Sequence, residues 1–150
     1  MTRRRTFALL PLVALLALAG CAGPDPDVVT DSARATFDAL VARAADVDPA
    51  VLRTLQTAEP ADQECARPEG SSQTAFTATG TLSVAADPAE ASRIRSDLAG
   101  TLDGGEWSTI RAAEGSPAQQ AWISEENIVT TLTVDGPTLV IAVFTPCLSS

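Results

Sequence analysis

The sequence predicts an α+β two-layer sandwich, with helices packed on one face of a mostly antiparallel four-stranded sheet. Three observations predict it. Apolar residues recur at helical spacing in 31–46 and again in 88–102. Apolar and hydroxylated residues alternate over 76–84, and three strand-like runs fill the last third of the chain. The predicted order is helix, short helix, strand, helix and three strands, in one domain over 31–150.

The first helix is placed at about 31–46 because Phe37, Leu40, Val41 and Ala44 share one face, while Asp31, Arg34, Asp38 and Arg43 lie largely elsewhere. Asp48-Pro49 reads as an N-cap with proline at the first helical position. Val51, Leu52 and Leu55 then predict a second, shorter helix ending before Pro60. Residues 58–73 are dense in Pro, Gly, Ser and acids and predict a long surface loop. Phe76, Ala78, Gly80, Leu82 and Val84 alternate with Thr77, Thr79, Thr81 and Ser83, the period of two of a strand with one buried face. The hydroxyl ladder is then the outward face of that strand.

Asp87-Pro88-Ala89-Glu90 supplies a capping carboxylate, proline at N1 and Glu at N3. The helix it opens buries Ala91, Ile94, Leu98 and Leu102 and ends at Asp103-Gly104-Gly105. Strands are predicted at 107–112, at 119–134 with a bulge or a turn around Glu125-Glu126-Asn127, and at 138–145 after the hairpin signal Asp135-Gly136-Pro137. Leu139 to Phe144 is apolar at every position, which suits a central strand covered on both faces, or one covered by helices on one side and partly by a long loop on the other.

The N-terminus carries a different signal. Arg3, Arg4 and Arg5 precede an apolar run from Phe7 to Ala19 that is interrupted by Pro11. A stable membrane span needs roughly twenty apolar residues, so a run this short reads as a signal peptide over 1–20. Its end, Leu18-Ala19-Gly20-Cys21, resembles the lipobox of bacterial lipoproteins. That resemblance implies diacylglycerol on the Cys21 thiol, cleavage before it, and attachment to the cell membrane facing the extracytoplasmic side. Ala22-Gly23-Pro24-Asp25-Pro26-Asp27 has no apolar periodicity, so 21–30 is expected to be a flexible tether.

With Cys21 taken by lipid, Cys65 and Cys147 are the remaining thiols and form one natural pair in an oxidising compartment. A bridge between them closes a loop of roughly 83 residues, for which chain entropy gives at most about 4.5 kcal/mol. Without histidine, and without a Cys-x-x-Cys motif, the two suit neither zinc nor redox exchange.

Composition excludes further classes. All ten basic residues are arginine, and removal of the signal leaves seven against 19 acids, a formal charge of −12 over 21–150. Nucleic acid, and electrostatic adhesion to anionic lipid, both need the opposite sign. Lack of His removes Ser-His and Cys-His chemistry, and lack of Lys removes Schiff-base and Ser-Lys chemistry. Carboxylate pairs are the residual catalytic candidates. Glu125 and Glu126 point to opposite faces of an extended chain unless a bulge redirects one, and Asp46 with Asp48 lacks the other ligands of a calcium loop. No catalytic set, metal site or cofactor is therefore expected. Trp107 and Trp122 are core fillers, or else one of them marks a partner surface.

The layout of lipobox, tether, N-terminal helix, cysteine before the first predicted strand, strand-helix-strands core and cysteine just after the last strand is similar to that of small actinobacterial LppA-like lipoproteins. Lysine depletion with abundant Ala, Asp, Arg and Val resembles the proteins of high-GC actinobacteria. The resemblance implies location and anchoring. It carries no assigned reaction and hence no catalytic positions. The expected function is a lipid-anchored binding module that meets an envelope protein or ligand through the sheet face or the 58–73 loop. The alternative is a carrier of an apolar ligand between helices and sheet, which requires a pocket of roughly 300 Å³ or more where Phe37, Leu98 and Ile141 would otherwise pack.

Overall fold

The computed structural model describes residues 25–65, 73–85, 87–110 and 118–149. It contains helices α1 (Pro26–Ala45) and α2 (Pro88–Ala99). Its strands are β1 (Leu52–Thr57), β2 (Ala61–Glu64), β3 (Gln73–Val84), β4 (Trp107–Ile110), β5 (Gln119–Ser124), β6 (Val129–Asp135), β7 (Thr138–Phe144) and β8 (Leu148–Ser149). The class is α+β as expected, but among the described residues the sheet has eight strands where four were predicted. Six follow the order β1-β3-β7-β6-β5-β4, β2 and β8 also pair with β3, and every pairing is antiparallel.

Two of the added strands come from segments read otherwise in sequence. The turn opened by Asp48-Pro49 forms, with the Ala50 amide donating to Asp48 Oδ1 at 2.8 Å and the Leu52 amide to the Asp48 carbonyl at 2.9 Å. It stops after one turn, and the chain extends into β1 instead of a second helix. The apolar spacing was misleading because the β1–β3 register shifts between Leu52 and Thr54. A bulge there puts Leu52 and Leu55, three residues apart, opposite Val84 and Leu82 on one face, which imitates helical spacing. β2 lies inside the predicted 58–73 loop. Its four residues are all exposed, so it has no apolar face to betray it, and its backbone pairing with β3 alone makes it a strand.

α1 begins five residues earlier than predicted, and this corrects the tether. Asp25 caps it by accepting from the Asp27 amide at 3.0 Å, and Pro26 occupies the first turn where its missing N–H costs nothing. Residues 26–30 are helix, not linker. α2 starts as predicted, with Asp87 Oδ1 accepting from the Ala89 amide at 2.9 Å. Glu90 does not close the capping box; its carboxylate accepts from Arg93 at 2.6 Å. The helix ends at Ala99, and a turn carries Leu102 into the core before Gly104 and Gly105, both at positive φ.

Both helices lie on one sheet face. Val29, Ala33, Phe37, Leu40 and Ala44 of α1, with Ala91, Ile94 and Leu98 of α2, meet Phe76, Leu82, Leu132, Leu139, Ile141 and Val143 in one core. An ideal Cβ on Gly80 of β3 would lie 3.6 Å from the Phe37 ring, and the Arg34 guanidinium stands 5.1 Å from the centre of the Phe76 ring. α1 therefore runs in the same direction as β3. Cys65 and Cys147 are joined, with Cα atoms 6.1 Å apart. β2 and β8 pair with the first part of β3 from opposite sides, so the bridge spans that strand. Pro146 lacks the N–H needed to continue the ladder, and β7 and β8 are separate for that reason.

Candidate functional site

The feature that invites a partner is the sheet face turned away from the helices. Opposed residues of antiparallel strands point to the same side, so the register assembles this face in rows. One row runs Thr77, Phe144, Val129, Ile123, Ser108. The next runs Thr79, Ala142, Thr131, Ala121, Ile110. A third runs Gln56, Thr81, Val140, Thr133, Gln119. No row contains an ionisable side chain, and Asp135, beside the β6–β7 hairpin, is the acid that the register brings closest. Strand spacing gives a surface about 20 Å across and about 14 Å along the strands, or about 300 Å².

Among the described residues, no helix or strand lies on these rows. Val140, Ala142 and Phe144 alternate with the buried Leu139, Ile141 and Val143 and are only partly buried. β7 is thus central in the sheet, as its composition predicted, but the described elements cover only one of its faces. The chain as a whole carries a formal charge of −9, so an uncharged face this wide departs from the rest of the surface.

The carboxylates proposed as acid–base candidates do not converge. Glu125 and Glu126 occupy the turn between β5 and β6, where the Ser124 hydroxyl donates to Glu126 at 2.9 Å and Glu125 is exposed. Asp46 caps the end of α1 and Asp48 the one-turn bend after it. They line an open cleft of about 350 Å³ with Arg43, Arg93 and Asp97. Arg93 has its pKa raised, first by the hydrogen bond to Glu90 and then by that residue's charge, which only deepens its normal protonation. A second cleft, of about 470 Å³, lies where α1 starts, between Asp25, Asp27, Asp62, Phe76 and Leu148. Phe37, Leu98 and Ile141 are 3%, 1% and 0% exposed, so side chains fill the seam between helices and sheet.

Trp122 is buried, and its indole N–H donates to Asp103 at 3.2 Å, which ties β5 to the turn after α2. Trp107 packs against the core while partly exposed. Cys21 lies outside the described residues. Among the described residues no helix is long and apolar enough to cross a membrane, and no three Cys, Asp or Glu side chains are grouped as a metal ion would require. The sequence showed only the β3 hydroxyl ladder; its continuation through β7, β6, β5 and β4 depends on register and was missed. No protein-family model, no curated protein and no solved structure matches the chain.

Proposed function

We propose that this chain is a lipid-anchored binding domain of the cell envelope, tethered through Cys21 and engaging a protein partner through the open sheet face. The observation that carries the reading is the uncharged face of β3, β7, β6, β5 and β4 on a chain of formal charge −9. Burying a charge without a partner costs several kcal/mol, and this face presents none to bury. It suits a protein surface that is itself uncharged. At about 300 Å² it supplies less than half of the roughly 800 Å² per partner of a standard interface, so the rim joins the contact.

The Leu18-Ala19-Gly20-Cys21 sequence supports the anchor. The filled helix–sheet seam favours a binding face over an internal carrier pocket. Carboxylates engaged at caps and turns, on a chain without His or Lys, favour binding over catalysis. Thr131→Arg and Val140→Arg place a charge on the face while leaving the core untouched. Each is expected to abolish recovery of the partner from native membranes without lowering the unfolding temperature appreciably, whereas Asp97→Arg, on the helix side, leaves recovery intact. Undiminished recovery with both face variants contradicts the proposal.

A further inference from the structure

The early start of α1 leaves a short link between Cys21 and the folded domain. Three residues, Ala22, Gly23 and Pro24, separate Cys21 from the α1 cap at Asp25. Four Cα–Cα steps span at most about 14 Å even when fully extended. On the reading that Cys21 bears lipid, Asp25 is held within that distance of the anchored residue. Asp25, Asp27 and Thr30 share a cleft with Asp62 of β2, Thr74 of β3 and Leu148 of β8. α1 and β3 then run together away from that end, to the Asp48 turn and the β6–β7 hairpin.

A second observation marks the same end. Val28, in the first turn of α1, is 58% exposed and is the one exposed large hydrophobic residue among the described residues. It sits seven positions from Cys21.

We infer that the bilayer is the partner of this end: the domain stands on the first turn of α1, β2 and β8, with Val28 at the lipid interface, and β3 rises away from the membrane. The inference rests on the lipid-anchor reading and adds an orientation to it. Asp25, Asp27, Asp62 and Glu64 at this end give no electrostatic attraction to anionic lipid, so the covalent anchor sets the orientation. The open sheet face is then presented side-on, at heights that a protein in the same membrane reaches.

The test uses the full lipidated protein in phosphatidylcholine vesicles containing a headgroup nitroxide lipid. A fluorophore is placed on Asp62→Cys or on Asp135→Cys, both exposed, whose neighbours in β3 lie about 23 Å apart along the strand. The introduced thiol is the only free one while Cys65 and Cys147 stay joined. Quenching at Asp62 is expected to exceed that at Asp135 several-fold, and Cys21→Ser protein is expected to leave the vesicles altogether. Protein that floats with vesicles yet is quenched equally at both positions, or more at Asp135, overturns the orientation and spares the anchor. Native protein with an unmodified Cys21 overturns the anchor, and the inference with it.

Discussion

A single carboxylate oxygen holds each helix start. Asp25 accepts from the Asp27 amide at 3.0 Å and Asp87 from the Ala89 amide at 2.9 Å, each leaving one fewer first-turn donor unpaired. Asp87→Ala is expected to cost about 1 kcal/mol, and thermal unfolding should show a fall of about 3–6 °C with partner binding unchanged. Binding lost at unchanged stability would give Asp87 a role beyond the cap. The Asp-Pro pair was legible at 87–88, where an apolar helical pattern continues the chain, and illegible at 25–26, where Pro24 and Asp27 made the surroundings look like linker. At 48–49 the same pair opened a single turn, because the downstream apolar residues belong to a bulged strand. Local chemistry thus specifies a start, and the element that grows from it depends on which partner strand or core receives the side chains.

β3 and the β6–β7 hairpin were read correctly from alternation and turn chemistry, whereas β1 and β2 carry neither signal. β3 alternates without interruption, and Asp135-Gly136-Pro137-Thr138 closes β6 onto β7 with Gly136 at φ 55°. That conformation is strained for a residue with a Cβ, although nothing lies within 4 Å of the position where one would be built. Gly136→Ala is therefore expected to destabilise by about 1–2 kcal/mol through backbone strain alone, as read from denaturant unfolding with an unchanged m-value. A neutral substitution would mean that the turn relaxes to another type. β2 escaped because an exposed edge strand needs no apolar residue, and β1 escaped because a bulge converts a period of two into a spacing of three.

Across the entire fold, two features organise the chain. One is the Cys65–Cys147 bridge, which joins residues 82 positions apart and ties the two segments flanking β3. Its pairing was legible once Cys21 was assigned to lipid. Cys65→Ser combined with Cys147→Ser is expected to lower stability by about 2–4 kcal/mol, measured as a shift in urea midpoint that reductant reproduces in the native protein. No shift on reduction would show that the bridge is dispensable to the fold. The other feature is the open sheet face, whose hydroxyl column on β3 was visible in sequence while its neighbours were not. Thr131, Ala142 and Ala121 become adjacent only through strand register, which composition does not encode. The apolar residues of β7 suggested helices on one side and full or partial cover on the other, and Val140 and Ala142 lie on the face that the described elements leave open.

Photocrosslinking in intact cells decides whether this face is the binding surface. A photoreactive residue replaces Thr131 at the centre of the face or Asp38 on the exposed side of α1. A discrete protein adduct is expected from position 131 and none from position 38. An adduct from position 38 with none from position 131 would contradict the assignment and move the binding surface to the helices.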